Sequence, residues 1–324
     1  MISIIVLTYN SPWSKVYLTL LSILKQSNNS KSLIKEIIIS DDSSIDDNYQ
    51  NISSFFTAIS YDSFIYNKNS ENLGTVGNLL VASQIATGKY IKAIGAGDLL
   101  FGEETLSNVC QVMERNDAKI SFGKMMAYNV GNKNFTSLHF HAPRNISPYL
   151  KCNDNKIKVN ILVGNDWISG STMFFERDYL LSQLKRISNH VTYCEDLIQC
   201  LAVLDGVKIN FINEYVIWYE LGCGISTSAN HKLNNRLAND HKQFFNFVHE
   251  EYSSDNVLKI KKMLESSKGK LSFMSIGRIF AKLLKLVFVR DGMLTSSHYY
   301  TDKQVGFLNS GSNFLSELKD TYIL

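Results

Sequence analysis

The chain of 324 residues is 45% apolar and 19% charged with a net charge of +3, and its length suffices for one large core or a core with an appendage. Its 16 tyrosines and 18 phenylalanines exclude a disordered chain, and its three prolines exclude a Pro-rich one. So small a charge does not argue for nucleic acid, and any basic patch has to be found locally.

Ile2 to Thr8 is a continuous run dominated by β-branched residues, the mark of a strand buried on both faces. Val16, Leu20, Ile23 and Leu24 predict a helix over 14–26. Glu36 to Ser40 reads as a second buried strand, followed by a weaker helix over about 46–58. Phe64 to Tyr66 is a third strand, 75–87 a helix with its stop at Gly88, and Tyr90 to Ile94 a fourth strand. Strands alternating with helices predict a parallel sheet with right-handed crossovers, an α/β nucleotide-binding architecture. Ligands of such sheets lie at the carboxyl ends of the strands. Those ends are Thr8-Tyr9-Asn10, Asp41-Asp42-Ser43-Ser44, Glu71-Asn72-Leu73-Gly74 and Gly95-Ala96-Gly97-Asp98, all polar or glycine-rich.

A helix is expected over 103–116, mixed elements over about 118–220, a helix over 195–205, strand-like residues from Val207 to Tyr219, and helices from about 229. Cys110, Cys152, Cys194, Cys200 and Cys223 are scattered with no CxxC pair, which predicts reduced, buried thiols. His139, His141 and His190 have no metal-ligand spacing. No signal sequence and no 18-residue uncharged apolar run is visible, so a cytoplasmic chain is expected.

The series V-L-T-Y-N at 6–10, D-D-S-S at 41–44, N-L-G-x-x-x-N at 72–78, G-K-Y-I at 88–91, G-A-G-D-L-L at 95–100, W-I-S-G-S at 167–171 and C-E-D at 194–196 resembles glycosyltransferase family 2. The resemblance covers residues 1 to about 228 and lies in the ordered set, since each motif alone is weak. It implies a GT-A fold with a mixed central sheet and inverting transfer from a nucleotide-sugar donor. A donor half would span 1–100, an acceptor half about 118–228, and a helical extension 229–324.

For the donor, a UDP-sugar, the resemblance implies Thr8, Tyr9, Asn10, Asp42, Asn72, Gly74, Asn78, Gly97 and Asp98. Asp42 could accept from a base N–H or cap a helix. Asp98 would hold a divalent cation, Mn²⁺ or Mg²⁺, that neutralises the departing diphosphate. The family has two or three acids at this loop, whereas here Gly95, Ala96 and Gly97 leave Asp98 alone, which weakens the metal site. Asp196 is the expected general base, with Glu195 beside it, in a first helical turn whose dipole favours the ionised form. Trp167, Gly170 and Ser171 are assigned to the acceptor, and Tyr219 to Ser226, with Gly222 and Gly224, to a loop closing over the donor.

The basic residues of 256–290 (Lys259, Lys261, Lys262, Lys268, Lys270, Arg278, Lys282, Lys285 and Arg290) stand among apolar ones and suit an anionic membrane surface or an ordinary packing helix. The family's common role implies a lipid-linked glycan acceptor in O-antigen or capsule synthesis. A non-catalytic nucleotide-sugar-binding module is the competing possibility, favoured by the Gly95-Ala96-Gly97 replacement.

Overall fold

The computed structural model of the chain describes residues 1–128, 142–221, 231–270, 313–314 and 316–318. The elements run β1 (Ile2–Thr8), α1 (Trp13–Leu24), α2 (Asn28–Leu33), β2 (Ile34–Asp41), α3 (Tyr49–Ala58), β3 (Phe64–Lys68), α4 (Gly74–Ile85), β4 (Tyr90–Gly95), β5 (Leu99–Leu100), α5 (Thr105–Arg115) and β6 (Ile120–Tyr128). They continue with α6 (Ser147–Leu150), α7 (Asp154–Leu162), β7 (Met173–Glu176), α8 (Arg177–Ile187), α9 (Ile198–Leu204), β8 (Ile209–Glu220), α10 (His231–Glu251) and α11 (Asn256–Lys270). Tyr219 and Glu220, expected to open the closing loop over 219–226, instead end β8. The rest of that loop at 222–226, the 271–290 part of the basic segment expected over 256–290, His139, His141 and Cys223 lie outside the described residues.

The eight strands form one mixed sheet in the order β3-β2-β1-β4-β7-β6-β8-β5. The first four strands pair in parallel, and β7 enters antiparallel between β4 and β6. Register sets the strand ends side by side: Thr8 opposes Asp41, Asp41 opposes Lys68, and Leu7 opposes Gly95.

Alternation along the buried strands covers both faces of the sheet. Ile4 and Val6 of β1, with Ile37 and Ile39 of β2, pack under Val16 and Leu20 of α1, Phe56 of α3 and Val109 of α5. Ile5 and Ile38 point the other way, into a cluster with Leu79 of α4, Leu180 of α8, Leu201 of α9 and Phe244 of α10. α10 therefore shares the core of the sheet. Among the described residues no helix is long and apolar enough to cross a membrane.

Several local expectations change. α4 ends at Ile85, and Gly88 is not its stop. A Cβ on Gly88 would lie 2.6 Å from the Ser3 nitrogen, so the residue is glycine because the β1 backbone passes against it. Nearby, buried Glu36 accepts from the Ser3 hydroxyl and from the Thr87 nitrogen and hydroxyl at 3.0 and 2.6 Å. Burial alone would raise its pKa, but these bonds prevail and hold it below the ordinary value. The helix expected from 195 begins as a 3₁₀ turn over Glu195–Leu197. Cys110, Cys194 and Cys200 are buried thiols, whereas Cys152 is exposed.

Candidate active site

The ends of β1 and β2 are knitted into one polar network. Thr8 Oγ1 donates to Asp41 Oδ2 at 3.0 Å, and Asp41 also accepts from the Ser44 nitrogen and hydroxyl at 2.7 and 2.6 Å. The Asn10 nitrogen donates to Ser44 Oγ at 2.7 Å, and Asn10 Oδ1 accepts from the Ile45 nitrogen at 3.1 Å. Tyr9, between these anchored neighbours, is 54% exposed, and its ring offers a face to a planar ligand.

Asp42 is buried and accepts from the Leu73 and Gly74 nitrogens, both at 2.9 Å, and from Asn69 Nδ2 at 3.0 Å. It caps α4, a helix 32 residues further on, rather than the helix that follows it. Asn72 Nδ2 reaches the Asp42 carbonyl at 3.4 Å. Asn78 is buried, taking the Ser40 hydroxyl at 2.6 Å and Asn69 Nδ2 at 3.0 Å. Gly74 has a φ of +72°, and a Cβ there would lie 2.6 Å from the Thr192 carbonyl oxygen. Conformation and close approach both require glycine, and they bring the start of α4 against the 192–196 segment.

Side chains from α1 and β6 fix the Gly95–Asp98 turn. Thr19 Oγ1 accepts from the Gly97 nitrogen at 2.9 Å and donates to the Asp98 carbonyl at 2.8 Å, while the Tyr128 hydroxyl donates to the Gly97 carbonyl. Asp98 Oδ1 accepts from the Glu220 nitrogen at 3.0 Å. Burial pushes the Asp98 carboxyl up to about 7, against the Glu220 N–H bond and the charge of Lys92. Glu220, at the end of β8, is ion-paired with Lys15 Nζ at 2.7 Å.

No ready-made site for a divalent ion is formed among the described residues, so an ion at the lone Asp98 would depend on the diphosphate for most of its ligands. One Asp98 oxygen is engaged by a backbone donor, the Glu220 carboxylate is neutralised by Lys15, and among the described residues no three metal-ligating side chains cluster.

On the other flank, Gly170 rests on the acidic pair. A Cβ there would lie 2.6 Å from Glu195 Oε1 and 3.4 Å from Asp196 Cβ. Burial raises both carboxyls, and the neighbouring Asp196 charge raises Glu195 further. Both side chains keep some exposure, but the surrounding protein is dense enough that desolvation outweighs the helix-end effect expected from sequence. Gln199 fastens the segments together, donating to the Ile168 and Asp196 carbonyls at 3.0 and 2.9 Å and accepting from the Ile168 nitrogen at 2.8 Å.

Lys92 joins the two flanks. It is fully buried in β4 and donates to the Ser171 carbonyl and, at 3.3 Å, to that of Met173. Burial pushes its pKa down to about 7, opposed by the charge of Asp98. Contacts thus run from β4, the strand that leads into the Gly95–Asp98 turn, through Lys92 to Ser171, and from its neighbour Gly170 to Glu195 and Asp196. Trp167 takes another direction: its Nε1 donates to the Ile161 carbonyl at 3.0 Å and its ring packs edge-on against His241. It lines a cavity of about 290 Å³ with Asn165, His241, Lys242, Phe245 and Lys261. Lys261, read from sequence as a candidate for the membrane face, is buried over the Phe245 ring.

Lys15, Lys92 and Asp240 escape sequence reasoning, and Glu220 enters it only as part of the 219–226 segment. Lys92 carried a signal, a charge inside an apolar strand, and Glu220 another, an acid at a strand's carboxyl end. Asp240 carried none. From α10 its Oδ2 accepts from the Thr192, Tyr193 and Cys194 nitrogens at 3.0, 2.6 and 3.3 Å, shaping the segment that presents Glu195 and Asp196. Asp240→Ala strands these donors, and we expect urea unfolding to show a loss of about 2–3 kcal/mol.

A family model described as Glycosyl transferase family 2 matches residues 3–181. Among solved structures, the chain is similar to Staphylococcus aureus TarS 1-349 in complex with UDP-GlcNAc, with a TM-score of 0.53 and 18% identity over 80% of this chain and 71% of that one. The same TarS fragment in complex with UDP gives a TM-score of 0.47 and 17% identity over 80% of this chain and 75% of that one. No curated protein sequence matches. The mixed sheet, the family match and the likeness at a TM-score of 0.53 are those of a GT-A fold.

Proposed function

The chain belongs to glycosyl transferase family 2, and from that membership we propose that it moves a sugar from a UDP-sugar to a hydroxyl of a glycan acceptor, with inversion at the anomeric carbon. The reading is carried by one observation: Lys92, on the strand that leads into the Gly95–Asp98 turn, bonds the Ser171 carbonyl, and the adjacent Gly170 rests on the Glu195–Asp196 pair. Tyr9 stacks on the base above the network of Thr8, Asn10, Asp41 and Ser44. The diphosphate lies on the turn at Gly97 and Asp98. The acceptor oxygen bonds to the anomeric carbon as the bond from that carbon to the diphosphate breaks. The diphosphate leaves with the electron pair, and the acceptor proton passes to Asp196. Glu195, against Gly170, orients the acceptor loop.

TarS was solved with UDP-GlcNAc, which supports a UDP-sugar as the donor class. We assign the acceptor to the lipid-linked glycans of surface polysaccharides, O-antigen or capsule. Exposed Lys259, Ile260, Lys262 and Met263 on α11 support contact with an anionic membrane surface.

Thermal unfolding with a panel of nucleotide sugars tests the donor class. A UDP-sugar at 100 times its Kd should stabilise the fold by about 2.7 kcal/mol, whereas no shift with any nucleotide would overturn the proposal. UDP binding without donor hydrolysis or transfer would favour the non-catalytic module.

A further inference from the structure

We infer that the Lys15 ammonium, held over the Gly95–Asp98 turn by Glu220, supplies the positive charge that binds and stabilises the departing diphosphate. The inference rests on the transferase reading above and assigns to a side chain of this protein the role expected from sequence for a divalent cation.

Gly97 marks the place. Its φ is +106°, and a Cβ built there would fall inside contact distance of Glu220 Oε2 and 3.5 Å from Lys15 Cδ. The volume an acidic side chain at position 97 would need is therefore filled by a carboxylate arriving from β8 and by the lysine it holds. Lys15 and Glu220 are 205 positions apart in sequence, so tertiary structure alone creates the pair. The turn beneath them is clamped by Thr19 and Tyr128, and Glu220 is anchored through its own nitrogen to Asp98. A ligand on the turn would thus meet a fixed surface.

The charges suit an anion that develops further charge. Lys15 is 27% exposed and can be approached by ligand, while its partner Glu220 is 7% exposed. Glu220 keeps the ammonium oriented before ligand arrives. When diphosphate binds, Lys15 is shared between the two anions, and its attraction grows as the sugar–oxygen bond breaks and charge gathers on the leaving oxygen. An ammonium serves this purpose as a point charge, as lysines do at other phosphate sites. The competing arrangement has a divalent ion displacing Lys15 to sit between Asp98 and Glu220.

Calorimetric titration of the full chain separates the two. The probe is whichever of UDP, GDP and CDP binds tightest, titrated in EDTA and again in Mn²⁺. We expect affinity to change less than about twofold between the two buffers. Lys15→Met should weaken binding about tenfold or more in both, and Lys15→Arg should recover most of it. Lys15→Gln replaces the Met variant if thermal melting shows the latter unfolded. With donor and acceptor present, Lys15→Met should lower kcat more than it raises KM, because the charge matters most at bond cleavage. Binding that needs Mn²⁺, a Lys15→Met affinity equal to wild type, or a Lys15→Met loss repaired by Mn²⁺ would each overturn the inference while leaving the transferase reading intact. A wild-type chain that binds no nucleoside diphosphate would overturn both.

Discussion

Asp196→Asn is expected to lower sugar transfer by roughly 10²–10⁴-fold, the contribution of a positioned general base. Amide and carboxylate have similar shape, so the contact with Gly170 and the carbonyl held by Gln199 remain. Donor affinity should therefore stay within about twofold of wild type. Glu195→Gln should instead act through KM for the acceptor, because Glu195 Oε1 is the oxygen set against Gly170. The pH profile follows from the same geometry. Burial raises both carboxyls of the pair, and the base must be unprotonated to act. Activity is then lost as pH falls through a pKa well above the ordinary carboxylate value of about 4. An acid limb near pH 4 would contradict the assignment, and near-normal turnover by Asp196→Asn would remove it.

Asp42→Ala should be the most destabilising substitution in the polar network at the ends of β1 and β2. Its carboxylate receives the Leu73 and Gly74 nitrogens and Asn69 Nδ2, all around the start of α4. Removing it leaves three donors without their acceptor and removes a negative charge from a helix N-terminus. A loss of about 3 kcal/mol is expected in denaturant unfolding, with nucleotide affinity falling as the 69–74 segment loosens. Asp42→Asn keeps one acceptor oxygen and should lose about half as much. If Asp42 served only to read a base, both variants would unfold like wild type and differ in nucleotide affinity alone.

The parts of the fold legible in the sequence are those where local pattern and burial agree. The apolar runs at Ile2–Thr8 and Glu36–Ser40 announce strands buried on both faces, and the polar residues just past them fall where parallel register aligns strand ends. Asn78 shows the limit of that logic. It lies on a helix and would face solvent by default, yet Ser40 and Asn69 draw it into the network. Glu195 and Asp196 show another. The helix-end effect predicts easy ionisation, but desolvation, a property of the whole fold, opposes it and wins.

Long-range pairings are the illegible part. Neither periodicity nor spacing joins Lys15 to Glu220 or Asp240 to the 192–194 nitrogens, because each pair comes from elements far apart in the chain. Gly97 in sequence is a missing acid. In the structure it is the space through which Glu220 and Lys15 enter the site.

The most direct measurement is a crystal structure of the protein grown with a UDP-sugar and with Asp196 changed to Asn to slow turnover. The diphosphate should lie on Gly97 and Asp98 within reach of Lys15, and residue 196 should face the anomeric carbon from the side opposite the diphosphate. A nucleotide seated away from that turn, or a sugar whose anomeric carbon is walled off from residue 196, would contradict a displacement carried out between these two flanks.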